Sequence, residues 1–343
     1  MRLISAARAR SVLQAALILP LLGSLTYSQS VIATIPASDG TEGNPMTIAV
    51  NPLTSRVYIA GSNVEVVNEK TNQVIGTISV GSGQLQGIAV DPTLNRAYVI
   101  DNADGLFAID LNTNTVVGNY GFSSNVNGIA VNPFTHRVYV QAPDPATGQA
   151  GMFVFEGASL KLLATIDDSG TYQPFGNPQD QVVVNPVTNM IYTAVNLFPG
   201  AVWVIDGKTN TSVTTITGLA DLAYGVDVDP ARNLVWVSGQ FGQVSEVNGA
   251  TNTLISNSNP NTYINGISVD PVRQRVYAIS TGGDEVQIIN EKTNTVEATT
   301  IPVGGAPVNS AIDYVHGLLY VGNTGETYQP GAPPPSVSAI KLQ

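Results

Sequence analysis

Residues 87–100 read GIAVDPTLNRAYVI. An apolar run leads into Asp91-Pro92, and a second run carrying Tyr98 follows four residues later. Proline presets φ at the second position of a tight turn, and Asp or Asn caps the position before it. Both flanking runs are apolar or alternating over a strand's length, so the segment reads as a β-hairpin. It is written six more times, as TIAVNPLTSRVYIA (47–60), GIAVNPFTHRVYVQ (128–141), QVVVNPVTNMIYTA (181–194), GVDVDPARNLVWVS (225–238), GISVDPVRQRVYAI (266–279) and NSAIDYVHGLLYVG (309–322). The Asn/Asp column falls at 51, 91, 132, 185, 229, 270 and 313, with steps of 40, 41, 53, 44, 41 and 43 residues. An all-β period in the low forties predicts one four-stranded blade per repeat.

The second half of each unit agrees. An apolar run leads to NEKTN (68–72), DLNTN (110–114), DGKTN (206–210), NGATN (248–252) or NEKTN again (290–294), and then to another run. This is the turn between the third and fourth strands. Its first Asn or Asp accepts a backbone hydrogen bond, and its last Asn tolerates positive φ. The copy at 156–160 (EGASL) has decayed. The lines RVYIA, RAYVI, RVYVQ and RVYAI, with KTNTVEATTIPVG, resemble the YVTN family of β-propeller repeats. That resemblance covers residues 31–343 and implies a propeller fold, not a particular reaction.

Seven copies predict an all-β, seven-bladed β-propeller. Blade seven ends at SVSAIKL (336–342), one strand short. SVIATIPAS (30–38) matches the fourth strands, so Val31–Ile35 is expected to pair with Ser336–Leu342 and close the ring. Tyr58, Tyr98, Tyr139, Tyr192, Trp236, Tyr277 and Tyr320 share one column and are expected to pack between blades. Arg56, Arg96, Arg137 and Arg275, two positions earlier, are expected to cover the blade edge and pair with turn carboxylates.

Residues 1–30 differ from the rest. Arg2, Arg8 and Arg10 precede the apolar stretch Val12–Leu25, and small residues follow at Ser28 and Ser30. This reads as a secretory signal peptide ahead of a single domain at 31–343, with a retained N-terminal anchor as the alternative. The expected location is secreted or periplasmic, as a monomer, with no membrane span after cleavage. Without residues 1–30 the net charge moves from −11 to −14, which disfavours nucleic acid. The chain has no Cys, which excludes disulfides, thiolate metal sites and Cys nucleophiles.

Propeller ligands sit where loops lead into first strands and link second strands to third. Just before the first strands come Gln86, Asn127, Asp180, Tyr224 and Asn265, expected to ring the mouth of the central channel. Asp227 breaks a column that otherwise holds Ala49, Ala89, Ala130, Val183, Ser268 and Ala311, and a carboxylate there needs a partner, water or a cation. Phe122, Tyr172, Phe175, Phe198, Phe241 and Tyr263 gather in the same loops. Aromatics beside amides and carboxylates suit a glycan, a peptide or a protein partner. The leading expectation is a non-enzymatic binding module with no cofactor. Two alternatives stand beside it. One is a lactonase- or lyase-like propeller holding Ca²⁺ through Asp180, Asp227, Asn127 or Asn265. The other is a purely structural surface protein. His136 and His316 fall in turns on the opposite face, which argues against His-dependent catalysis there.

Overall fold

In the computed structural model, residues 29–37, 47–122, 126–144, 150–167, 182–195, 198–219, 222–260, 262–325 and 334–343 are described. They form seven antiparallel sheets and, among the described residues, no helix. Each sheet is one repeat. In blade one, Thr47–Asn51 is innermost, followed by Arg56–Ala60, Val64–Asn68 and the outer strand Gln73–Ile78. The seven inner strands surround a central channel, and hydrophobic clusters fill the spaces between neighbouring blades.

Ring closure follows the expected pairing. Ser30–Pro36 pairs antiparallel with Ser336–Lys341, Ser30 opposite Lys341 and Ile35 opposite Val337. Ile35 is 1% exposed and packs with Ile48, Val57 and Tyr320, so the N-terminal strand joins blades seven and one. Blade six departs from the pattern. Its outer strand is split into Thr295–Val296 and Ile301–Pro302, both paired with Glu285–Asn290.

The turns behave as their residues dictate. Asn68 Oδ1 accepts from Lys70 N at 2.9 Å, and Asn290 Oδ1 from Lys292 N at 3.0 Å. Asn72 and Asn294 take the left-handed conformation, with φ of 54° and 49°. The first turn of each blade uses the same device: Ser55, Asn95, His136, Asn189, Asn233, Gln274 and Gly317 all have positive φ.

These lower turns stitch blade to blade. Asn51 donates to Asn95, Asn132 to Asn189 and Asn185 to Asn233, at 2.6–2.8 Å. His136 Nδ1 meets Asp91 at 2.7 Å. In five of the outer turns the second residue faces the aromatic of the preceding blade. Where it is Gly157, Gly207 or Gly249, a Cβ would lie 2.4, 2.6 or 3.0 Å from the hydroxyl of Tyr98, Tyr139 or Tyr192. In the two NEKTN copies it is a buried glutamate. Glu69 accepts from Tyr320 Oη at 3.5 Å, and Glu291 accepts from Trp236 Nε1 at 3.4 Å. The pentapeptide therefore supplies a buried carboxylate to two of the seams.

The aromatic column is at most 2% exposed. By area, each ring contributes about 4–6 kcal/mol before conformational entropy is charged. The arginine column differs from expectation. Arg96 donates to the carbonyls of Gly157 and Ala158, Arg137 to that of Gly207, and Arg56 to those of Thr54 and Ser55. Arg275 alone of the four also meets a carboxylate, Glu297 at 2.5 Å. Left-handed turns leave carbonyls pointing outward, and the guanidinium satisfies them.

Candidate functional site

The inner strands run from the loop-bearing end to the turn-bearing end. At the loop end several carry a β-bulge. The register skips Gln86 between Leu85 and Gly87, Tyr224 between Ala223 and Gly225, Asn265 between Ile264 and Gly266, and Val308 between Pro307 and Asn309. A bulge leaves its extra residue unpaired and re-aims the side chains beside it. The glycine that follows lets neighbouring inner strands close up. A Cβ on Gly225 would lie 2.9 Å from Ser238 Oγ and 3.2 Å from Asn265 O, and one on Gly266 would lie 2.9 Å from Val308 O.

Within this ring lies a cavity of about 220 Å³, lined by residues of all seven inner strands. Its polar wall holds Gln86, Asn127, Asp227, Ser268, Asn309 and Ser310, against an apolar lining that includes Ile48, Ile88, Ile129 and Ile267. Gln86, Asn127 and Asp227 thus line one cavity. Tyr224 and Asn265 do not line the cavity. Tyr224 accepts from Gln240 Nε2 at 3.4 Å. Asp180, Tyr172 and Phe175 lie outside the described residues.

Asp227 is the carboxylate of the wall. Its Oδ1 accepts from Val228 N at 2.8 Å, and its Oδ2 from Val269 N of the next blade at 2.7 Å. Burial pushes its pKa up to about 7, against the lowering effect of those two N–H groups. The carboxylate is therefore poised to change charge near neutrality. Ser268 and Ser310 share a 2.8 Å hydrogen bond, and Thr47 Oγ1 on the wall has no hydrogen-bond partner among the described residues.

The loop aromatics divide. Phe122 stacks edge-on with Tyr120, Phe153 and Phe155 at 5.3, 5.0 and 6.1 Å, so it belongs to the packing of blade three. Phe241 and Tyr263 are 52% and 53% exposed and form an edge-to-face pair at 5.8 Å across blades five and six. Phe198 stands 75% exposed. Asn309, Ser310, Ser268 and Thr47 were not among the expected mouth residues. The signal for three of them was the break at Ser268 in the alanine column and the polar pair Asn309-Ser310 at the head of the seventh repeat.

Among the described residues, one group has the donor set to hold a metal ion: Glu69, Asp313 and His316, with ligand atoms within 4.8 Å of one another. It lies at the turn end, away from the cavity. His316 Nδ1 is 2.8 Å from Asp313 Oδ2 and 3.0 Å from Glu69 Oε2. The seam between blades five and six shows what this arrangement does. There Arg232, three residues after Asp229 as His316 is after Asp313, lies 2.5 Å from Asp229 and 3.4 Å from Glu291. His316 therefore stands in the place of a permanent cation between two buried carboxylates.

No protein-family model matches the chain. Over 140 residues it is 23% identical to YncE of Salmonella typhi, a match that spans 39% of this chain and 38% of that protein. Among solved structures it is similar to U3-55K, with a TM-score of 0.75, 13% identity, and coverage of 92% of this chain and 100% of that one. A chain of the mitotic checkpoint complex gives 0.75 at 12% identity, covering 99% and 97%. One of the hydrazine synthase of Kuenenia stuttgartiensis gives 0.71 at 16%, covering 89% and 99%. These likenesses show the fold alone. A seven-bladed propeller it is, and the site must speak for the function. No helix among the described residues is long and apolar enough to cross a membrane.

Proposed function

We propose that the protein is an exported, non-enzymatic binding module that takes its ligand at the loop end of the central channel. One observation carries the reading: a cavity of about 220 Å³ whose amide and hydroxyl wall surrounds the carboxylate of Asp227. A concave site with few convergent polar groups on an apolar lining is the general form of a ligand pocket. The exposed Phe241–Tyr263 pair at the same end of the ring offers an apolar platform. The charge of this end favours one ligand class. Asp101, Asp104, Asp144, Asp167, Asp284 and Glu285 lie at the loop ends of their strands, and every Lys and Arg after residue 30 lies elsewhere. A peptide or protein segment bearing an amine or a basic side chain fits better than a neutral glycan. The basic start and apolar run of residues 1–30 support export.

The test is an array of basic, neutral and acidic peptides and of glycans, probed with the full chain and with Asp227→Asn. Basic peptides are expected to bind, with at least tenfold loss in the variant, about 1.4 kcal/mol. Binding should also weaken as pH falls through about 7, where Asp227 takes up its proton. Blank arrays, or a variant that binds like the parent, would refute the reading.

A further inference from the structure

The turn end carries a feature that the ligand site does not use. The residue after each [Asn/Asp]-Pro pair projects outward, and in four blades it is a large apolar side chain. Leu53, Phe134, Val187 and Val272 are 70%, 69%, 68% and 64% exposed. Blade seven, with Tyr in place of Pro, adds Tyr314 and Val315 at 49% and 64%. These side chains crown the lower rim of the ring, each on its own turn. Solvated turns normally carry polar residues at their tips, so five apolar tips at one repeated position call for a partner.

The charges of the molecule are sorted by the same axis. All eleven Lys and Arg that follow residue 30 lie in the lower turns or at the strand ends beside them. The arginines are occupied with turn carbonyls or carboxylates, whereas Lys70, Lys161, Lys208, Lys292 and Lys341 are exposed. The buried acids of this end are matched: Asp91 by His136, Asp270 by Arg273, and Asp229 with Glu291 by Arg232. Asp110, Glu156 and Asp206 are the acids left facing outward there. The opposite end holds carboxylates and no cation among the described residues.

We infer that this face rests on a lipid bilayer, with the apolar tips in the headgroup region, the lysines over anionic headgroups and the channel mouth turned to the medium. Single apolar side chains spaced around a ring suit shallow insertion better than the contiguous core of a protein interface. A second copy docked crown to crown would bring two sets of exposed lysines together, whereas an anionic surface complements them. The acidic mouth is repelled by such a surface, which fixes the orientation. The closing strand begins at this same end: Ser30 sits opposite Lys341, whose Nζ reaches His316 O at 2.7 Å.

The chain has no cysteine, so single labels are clean. Phe134→Cys on the crown and Ala103→Cys at the mouth, each in the full chain, are labelled with an environment-sensitive fluorophore. They are then mixed with vesicles of phosphatidylcholine and phosphatidylglycerol. A blue shift at position 134 and none at 103 is expected. The shift should be smaller with phosphatidylcholine alone and lost when Leu53, Val187 and Val272 are all changed to Ser. No shift at 134, an equal shift at 103, or a signal at 134 that follows protein concentration without vesicles would overturn the inference. The last result would point to a second copy instead. Unchanged melting of the serine variant shows that its loss is not a folding defect. A serine variant that binds as before overturns the role of the crown.

Discussion

Replacing His316 should loosen the seam between blades seven and one in a pH-dependent way. The imidazole lies 2.8 Å from Asp313 and 3.0 Å from Glu69, and both carboxylates are nearly fully buried. Removing one partner of a buried ion pair costs about 3–5 kcal/mol. His316 is 39% exposed, so solvent screens the pair and about 1–2 kcal/mol is expected for His316→Ala in mild acid. The hydrogen bond to Asp313 raises the His316 pKa, and burial beside Asp313 raises that of Glu69 to about 7 from an ordinary 4.5. Both folded-state values lie above the unfolded ones. Their stabilisation is therefore complete below about pH 4.5 for Glu69 and below about 6.5 for His316, and is lost as pH rises through the raised values. The seam should be tightest in mild acid. In thermal melts at pH 5.5 and 8.5, His316→Ala should lower Tm by roughly 2–5 °C at the lower pH and by clearly less at the higher. His316→Arg, which copies Arg232, should keep the acid-side Tm and flatten its fall with pH. Equal losses at both pH values, or an alanine variant that melts with the parent at pH 5.5, would refute the reasoning.

Other outcomes follow from the same geometry. Ile35→Ala, at the closing strand, should cost about 2–4 kcal/mol, seen as a lower denaturant midpoint for the whole domain; a change confined to a minor early transition would mean that the strand is not part of the cooperative ring. Gly225→Ala drives a Cβ toward Ser238 Oγ and Asn265 O, and should cost about 1–3 kcal/mol by thermal melting. Arg232→Met leaves Asp229 and Glu291 facing each other, with a loss of about 2–3 kcal/mol at pH 8.5 that shrinks in acid as Glu291, whose burial lifts it to about 8, takes up a proton. Phe241→Ala and Tyr263→Ala should change Tm by less than about 1 kcal/mol equivalent, since both rings are half exposed, while weakening ligand capture.

The ring was legible because it is written as text. Seven hairpins share one spacing, and the missing outer strand of blade seven is spelled at residues 30–36 in the same letters as the other outer strands. The channel was legible only in part. Gln86, Tyr224 and Asn265 hold the same place in the repeat and each sits in a bulge, yet only Gln86 lines the cavity, a difference that the side-chain packing around each position makes and the repeat text does not carry. Phe122 read as a loop aromatic, but Phe153 and Phe155 on the third strand of the next blade draw it into the packing between blades. No local pattern marks Glu69 as buried, because its partners, Asp313 and His316, stand at the far end of the sequence. The acceptors of the arginine column are carbonyls, which every residue has and no letter announces.

The pairing of Ser30–Pro36 with Ser336–Lys341 also sets a timetable. The strand at Ser30–Pro36 is synthesised well before its neighbour, which follows six further blades along the chain. Until then six sectors can assemble side by side, but the circle stays open and its two ends stay sticky. Contacts so distant along the chain form slowly. Under the proposed export, that delay keeps the chain from locking shut before it has crossed the membrane.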